Sequence, residues 1–272
     1  MAAKVEVNSA SVAKSEWSFL TLLSGMFEWF GDLGIFVWKF IRAAATPPFE
    51  GREFIRQMDE IGAKSVPLVA LAGGAIGVVL SMQTYDSLVR FGAKAYLPMI
   101  IVISIIKESG PIITALVMSG RIGAGIGAEL GSMKVTEQID AIEASAVNPH
   151  GFLVVTRIMA CMTMVPLLTL VADFFGILTG WLATLLTDKT PLQLFINDGF
   201  ESVGFDELLP SLGKALIFGF IIGLMGCFQG MRASGGTEGV GRASTSAVVL
   251  SSLFVILADV VLVRLILVFF PG

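Results

Sequence analysis

The sequence predicts an all-α integral membrane protein, with N-terminal interfacial helices, five transmembrane helices and a cytoplasmic helix between spans two and three. The composition is 55% hydrophobic and 15% charged, whereas soluble domains carry about 25% charged residues. Five apolar stretches are each long enough to cross a hydrocarbon core of about 30 Å. Basic residues also fall mainly in alternate loops, which indicates a fixed orientation in the membrane.

Residues 1–15 are polar and lack the apolar core of a signal peptide, so we expect a disordered cytoplasmic tail. The stretch from Trp17 to Ala45 is rich in aromatic residues and leucine, but Glu28 and Asp32 interrupt it. This pattern favours a helix that lies in the membrane interface, and a spanning helix is the alternative.

A second apolar stripe follows the break at Pro47 and Pro48, and the sequence predicts that it too lies at the cytoplasmic surface. The stripe is made of Phe54, Met58 and Ile61. Residues 16–64 are therefore predicted as interfacial helices, and residues 65–272 as the membrane domain.

The five spans are expected near residues 66–88, 95–120, 151–187, 212–230 and 247–270. The third is longer than a perpendicular crossing requires, so we expect one long, tilted helix that projects into the cytoplasm. Pro111 should kink the second span. The glycine-rich segment 230–244 is predicted as a flexible loop, because no strand precedes it and the chain lacks a phosphate-binding G-x-x-x-x-G-K-[ST] motif.

Basic residues indicate that the N-terminus is cytoplasmic and, after five spans, that the C-terminus is periplasmic. The cytoplasmic set is Lys39, Arg42, Arg52, Arg56, Lys64, Arg121, Lys134, Arg232 and Arg242, against Arg90, Lys94 and Lys189 on the other side. The net charge of −4 includes no basic patch, so nucleic acid is not an expected partner. One His and two Cys do not suggest a metal site.

Six ionisable residues of the predicted spans are singled out as the intramembrane set, because a charge inside a membrane is costly and marks a functional site by default. They are Lys107, Glu108, Asp173, Lys214, Asp259 and Arg264. Snorkelling towards the membrane surface explains Lys214 and Arg264 equally well, because both lie near span ends.

The segment after span two combines a glycine face with a short polar helix. Gly123, Gly127 and Gly131 recur every four residues, which would let another helix approach closely. Val135, Ile139, Ile142 and Ala146 then fall at helical spacing until Asn148-Pro149 ends the pattern, with acidic residues turned elsewhere. Most such helices pack on their own protein, and a docking surface for a partner is the alternative.

The motif KESGP, from Lys107 to Pro111, and the run GRIGAGIGAELGSMKVTEQIDAIEASAVNP, from Gly120 to Pro149, resemble the signature of MlaE-type permeases. These are the membrane subunits of ABC transporters that move phospholipids between the membranes of Gram-negative bacteria. The resemblance implies a lipid cavity lined by Glu108, together with its neighbour Lys107, Lys214 and Asp259. Ser109 departs from the pattern, because many relatives carry Leu there.

The resemblance also implies how the transporter is driven. The 135–146 helix would be the coupling helix that docks on a separate ATPase subunit, which binds ATP-Mg, so no cofactor is expected in this chain. Glu137, Asp140 and Glu143 would contact basic groups of that subunit, beside the apolar Ile139 and Ile142. The implied complex is a homodimer in the bacterial inner membrane, with a small STAS-domain subunit and a periplasmic hexamer of MCE-domain proteins.

Two other functions remain open from the residues alone. A secondary transporter or channel would use Glu108, Asp173 and Asp259 as proton or ion sites and would work without ATP. An intramembrane hydrolase would pair Asp173 with Asp259, although no protease motif surrounds either residue.

Overall fold

The computed structural model describes residues 24–46, 50–201 and 203–269, except for the side chains of residues 205, 206 and 269. It divides the chain into two compact units, Met1–Pro47 and Pro48–Gly272. The described residues are mostly helical and form no strand, and five of their helices are long and apolar enough to cross a membrane. The predicted all-α fold with five spans is confirmed.

Helix α1 comprises residues 24–44 of the first unit. Several of its apolar side chains are exposed, among them Phe27 and Trp38. It is not among the five helices that meet the length and hydropathy of a span, and its interfacial placement stays a prediction. The predicted tail 1–15 and the start of the interfacial segment lie outside the described residues.

The second unit begins with α2 (Gly51–Ile61) and α3 (Val66–Arg90), which a single 3₁₀ turn joins. The stripe predicted from Phe54 to Ile61 packs against the third span, α8 (Thr156–Asp188). Helix α3 also packs along α8, and the two helices are so close that a Cβ added at Gly73 would lie only 2.8 Å from the Cα of Ala172. A glycine at this position of α3 thus allows the backbones of two spans to come into contact.

The second span is one continuous helical segment, Lys94–Val135, and extends further than the sequence predicted. It contains α4 (Leu97–Ser104), α5 (Gly110–Met118) and α6 (Ala124–Val135), joined by π-helical turns at Ile105–Ser109 and Ser119–Gly123. The N–H of Gly110 donates to the carbonyl of Ile105, five residues back. A π turn thus precedes Pro111, whose missing N–H disturbs the regular α-helical pattern.

The remaining helices are α7 (Gln138–Ala144), α8, α9 (Leu192–Phe200), α10 (Phe205–Met231) and α11 (Gly236–Phe269). A π turn at His150–Val155 precedes α8, so the third span is one long helix, as predicted. The prediction of a flexible loop over residues 230–244 is wrong, because α11 already begins at Gly236. Gly235 and Gly236 make the turn with φ of 89° and 72°, a backbone region that glycine adopts without steric cost.

Close packing of α8 with α3 and α10, and of α11 with α6 and α10, holds the second unit together. Helix α9 closes the end of this bundle that is remote from α7. Its Phe195 is fully buried in a cluster with Leu97, Ile101, Val102, Ile105 and Ile106. Burying a Phe side chain stabilises a fold by about 1.5–3 kcal/mol, so α9 fixes the π turn that carries Lys107 and Glu108.

Candidate functional site

Lys214 is the centre of an ionic cluster in which three spans meet. Its side chain is 2% exposed, and its Nζ lies 2.7 Å from Glu108 Oε2 and 3.5 Å from Asp259 Oδ1. Glu108 belongs to the π turn before α5, Lys214 to α10 and Asp259 to α11. The structure therefore brings together three of the four residues assigned to a cavity in the sequence analysis. A buried cation between two carboxylates meets the requirement that a charge in an apolar interior be paired.

Lys107 does not pair within this cluster but with Glu207 of α10, with 2.8 Å between Nζ and Oε2. Consecutive helix positions point about 100° apart, so adjacent residues of one turn reach two separate places on α10. The sequence analysis missed Glu207, because this residue precedes the fourth predicted span, residues 212–230, and so was not counted among the intramembrane charges. A pair of opposite charges at the end of a span was the signal that could have found it.

The two ion pairs border a small cavity of ≈ 30 Å³. Its lining residues are Lys107, Glu108, Glu207, Pro210, Ser211, Lys214, Val263, Ile266 and Leu267. A water molecule needs at least about 10–15 Å³, so the cavity is of a size for water and too small for a lipid headgroup. The Glu108 side chain is 43% exposed, and it is the charged group through which the cluster meets its surroundings.

Asp173 and Arg264, the other two intramembrane charges, lie outside this cluster. Asp173 is buried in α8, and neither carboxylate oxygen has a hydrogen-bond partner within the described part of the chain. Arg264 is exposed on α11. Asp173 thus lies against the backbone of Gly110, whereas Asp259 lies beside Lys214.

The segment predicted to couple to an ATPase forms a turn followed by α7. Glu137 lies in the turn with a left-handed φ of 59°, so the predicted apolar stripe does not run unbroken from Val135. Ala146 also falls beyond the helix, which ends at Ala144. Within the segment, Ile139 is 3% exposed, Ile142 is half-buried, and the three acidic residues are exposed.

Asp140 pairs with Lys134 across 2.9 Å at the surface. Both side chains are exposed, so this ion pair adds little stability. Ile139 therefore anchors α7 to the bundle, and the carboxylates of Glu137, Asp140 and Glu143 remain accessible to a partner.

The glycine face of the second span packs against α11 and the turn before it. A Cβ at Gly127 would lie 3.0 Å from the Cβ of Ala247, and one at Gly123 would lie 3.2 Å from Ser251 Oγ. At Gly131 the nearest atom would be the Cβ of Ala233, at 3.3 Å. These contacts join the helix that leads to α7 closely to the helix that carries Asp259.

One ion pair beside this face, between a buried arginine and a half-exposed glutamate, was missed. Arg157 of α8 is 1% exposed, and its Nη2 lies 2.8 Å from Glu129 Oε1. Its Nη1 also donates to the carbonyl of Leu153 over 2.9 Å. An arginine inside a predicted apolar span was the available signal, because a charge there requires a partner.

Comparisons with known proteins cover most of the chain. The family model described as "Permease MlaE" matches residues 54–265. A "Probable ABC transporter permease protein" of Rickettsia typhi is 34% identical over 235 residues, which are 86% of this chain and 91% of the relative. A protein of the same description from Synechocystis is 32% identical over 208 residues, 76% of this chain and 79% of its own. Another, from Porphyra purpurea, is 32% identical over 189 residues, 70% and 72% of the two chains.

Proposed function

Because the chain belongs to the MlaE family and is a multi-pass permease subunit of an ABC transporter, we propose that it moves phospholipids between the inner and outer membranes of a Gram-negative bacterium. ATP hydrolysis in a separate subunit drives this transport. The observation that carries the proposal is the ionic cluster around Lys214, because such a polar junction of three spans suits an amphiphilic substrate better than a purely apolar one.

The charges of the cluster favour a zwitterionic or cationic headgroup near Glu108. Lys107 and Lys214 stand against Glu108, Glu207 and Asp259, which leaves one net negative charge when all five are ionised. Glu108 is also the most exposed of the five side chains. An ammonium group of a headgroup would find there the carboxylate that is easiest to reach.

The cavity must widen before a lipid can enter, because ≈ 30 Å³ is less than a headgroup occupies. A second copy of the chain would supply the missing walls, and the proposed functional unit is a homodimer. Val260, Val261 and Leu265 of α11 are exposed apolar residues beside Asp259. They offer a surface against which lipid chains or a second copy can pack.

Energy would reach this cavity through α7 and the helix that precedes it. The exposed carboxylates of Glu137, Asp140 and Glu143 suit contacts to basic groups of an ATPase subunit that binds ATP-Mg. The second span runs continuously from this segment to Glu108. A displacement of α7 would therefore be transmitted along one helix to the ionic cluster.

The other partners and the location follow from family membership and are part of the proposal. They are a STAS-domain subunit and a periplasmic MCE-domain hexamer, in a complex of the bacterial inner membrane. The N-terminus would be cytoplasmic and the C-terminus periplasmic, in agreement with the distribution of basic residues.

A secondary transporter remains the second candidate, because Asp173 is a buried carboxylate without a hydrogen-bond partner in the described chain. Membership of an ABC permease family favours the ATP-driven function. Reconstituted flux of an ion or lipid without any ATPase subunit would support the second candidate instead.

The test is photo-crosslinking at Val263, which lines the cavity. A crosslinking residue there should capture phospholipid in cells, and Glu108→Gln should change the amount captured while the complex stays folded. The same probe at Val249, which is exposed on α11, reports on bulk lipid and should not respond to Glu108→Gln. Capture of protein alone at position 263 would argue against a lipid cavity.

A further inference from the structure

A second cavity, ten times larger than the first, lies between α2 and the part of the second span that precedes α7. Its volume is ≈ 300 Å³, at the lower end of the range of about 300–1,000 Å³ found for ligand pockets. The lining residues are Arg56, Gln57, Glu60, Ile61, Arg121, Ile122, Gly125, Ile126 and Glu129. It begins about 20 Å along the helix axis from Glu108, at about 1.5 Å per residue, and is therefore a separate site.

The charged side chains that line this cavity, two arginines and two glutamates, sum to zero, but one of the four lacks a charged partner. Three of the lining residues are paired with groups outside it, because Arg56 pairs with Glu53, Glu60 with Lys64 and Glu129 with Arg157. Arg121 donates instead to the neutral Ser65 Oγ, and no carboxylate of the described residues lies within ion-pair distance of it. One positive charge is therefore left over.

Arg121 is held in place rather than loose at the surface. Ser65 is buried at the start of α3, and its hydroxyl both accepts from Arg121 Nη1 and donates to the carbonyl of Ile61. The guanidinium carries five N–H donors in a planar fork that matches phosphate oxygens. A positioned arginine of this kind needs little further ordering to bind an anion.

Apart from Gln57 and Gly125, the remaining wall consists of isoleucine side chains, and these decide between two kinds of anion. Ile61, Ile122 and Ile126 are buried side chains that face the cavity. One partly exposed ion pair contributes only about 0.2–1 kcal/mol, which would not hold inorganic phosphate at physiological concentrations. Apolar contact adds about 25 cal/mol per Å² of buried surface, and a lipid supplies such surface next to its phosphate.

We propose that this cavity binds the phosphate group of an anionic membrane lipid, with Arg121 as the phosphate ligand and Ile61, Ile122 and Ile126 in contact with the glycerol and the first carbons of the chains. The cavity lies at the same end of the bundle as α7. A lipid bound there would bridge α2 and the helix that leads to the coupling segment. The inference does not rest on the proposed function, because it comes from a different cavity and different residues.

Gly125 provides a direct test, because it lines the cavity and a Cβ there would meet nothing within 4 Å. Gly125→Leu should fill the space without a clash, and leucine favours a helix by about 1 kcal/mol relative to glycine. Gly120→Leu is the matched control, since position 120 is also exposed and open but is not part of the cavity.

The measurement is native mass spectrometry of the purified full-length chain, titrated with dihexanoyl-phosphatidylglycerol. Gly125→Leu and Arg121→Gln should each weaken one binding event at least tenfold, whereas Arg121→Lys, which keeps the charge but loses the planar fork, should weaken it less than Arg121→Gln does. Gly120→Leu should leave this event unchanged, and the effects of the Gly125 and Arg121 variants separate it from any lipid at the ionic cluster, which begins about 20 Å away along the helix.

Three results would overturn the proposal. Full competition by equimolar inorganic phosphate would identify a site for free anions. Binding of dihexanoylglycerol, which lacks the phosphate, as tight as that of dihexanoyl-phosphatidylglycerol would show that Arg121 does not bind the phosphate. Unchanged binding in Gly125→Leu, in a variant whose thermal stability is intact, would show that the lipid lies elsewhere.

Discussion

The carboxylate of Asp173 lies against the Cα of Gly110, in the space that any side chain at position 110 would occupy. Gly110 follows directly on the π turn that carries Glu108, and Pro111 comes next. The third span is thus in contact with the irregular part of the second, one residue beyond Ser109. This contact depends on the absence of a side chain and on the presence of a carboxylate.

Gly110→Ala should therefore destabilise the protein by about 1–3 kcal/mol, as overpacking of a core does. The added methyl group would meet Asp173, and the truncation Asp173→Ala should relieve this clash. The double variant should accordingly be more stable than the sum of the two single effects predicts. Thermal unfolding in detergent measures this.

Gly120→Ala is the control for this pair, because a Cβ at position 120 meets nothing within 4 Å. It should leave the unfolding temperature unchanged or slightly raised, since alanine favours a helix. Additive effects of Gly110→Ala and Asp173→Ala would show that the two residues do not interact in the membrane.

Lys214→Met should be the most damaging single change in the ionic cluster. It leaves the carboxylates of Glu108 and Asp259 without their shared cation, and breaking a buried pair in this way costs about 3–5 kcal/mol. Glu108→Gln should cost less, because the Glu108 side chain is 43% exposed and its pair is partly screened by solvent.

Unfolding curves of these variants should be compared with that of Lys189→Met, at an exposed position beyond α8. From most to least stable, we expect the order Lys189→Met, Glu108→Gln and Lys214→Met. A Lys214→Met variant as stable as the control would mean that the two carboxylates are satisfied without the lysine.

Gly127→Leu should reduce the yield of folded protein, because it forces α6 and α11 apart. The nearest atoms to a Cβ at this position are the Cβ of Ala247 at 3.0 Å and the carbonyl oxygen of Ala243 at 3.2 Å. Neither an alanine Cβ nor a backbone oxygen can move aside by a side-chain rotation, so the helices themselves would have to separate. Size-exclusion profiles of the purified chain report the outcome.

Gly241→Leu places the same side chain on α11 at a position where a Cβ meets nothing within 4 Å. This control should elute as the unsubstituted protein does. Normal yield and a normal profile for Gly127→Leu as well would contradict close contact along the glycine face.

The double substitution Glu137→Lys and Asp140→Lys should release the proposed ATPase subunit from the permease. Both residues are exposed, and such changes usually alter stability by less than about 0.5 kcal/mol. Lys is no worse than Glu at the left-handed φ of position 137, since both carry a Cβ. Co-purification of the ATPase with the tagged permease is the measurement.

Charge reversal in α9 and directly after it provides the matched control. Asp198→Lys with Glu201→Lys alters two acidic residues at the end of the bundle remote from α7, and the ATPase should remain bound. Retention of the ATPase by both double variants would mean that it docks elsewhere.

The five spans could be predicted because apolar length alone determines whether a segment can cross a membrane. Helical structure from Gly236 onwards could not, since the glycine content of residues 230–244 indicates a loop in isolation. Its helix is stabilised by packing of Ala243 and Ala247 against Gly127. This is a contact between distant parts of the sequence, which local composition does not contain.

The candidate site was predictable to a similar extent. The resemblance to MlaE-type permeases assigned Glu108, Lys214 and Asp259 to one cavity, and their charges are of the opposite signs that burial requires to pair. The partner of Lys107 was not predictable, because Glu207 lies among other acidic residues and only the fold selects it. The π turns are likewise a matter of hydrogen-bond register, and composition carries little information about it.

Those π turns change how the second span must be drawn on a helical wheel. Each accommodates one extra residue within a turn, so every later side chain lies about 100° behind the position it would have in a regular helix of the same sequence. The two turns at Ile105–Ser109 and Ser119–Gly123 therefore rotate α6 by about 200° relative to α4, compared with a regular helix. Deleting a single residue within Ser119–Gly123 would therefore restore regular α-helical geometry and leave Gly127 facing Ala247, whereas a deletion elsewhere in α6 before Gly127 would turn it away.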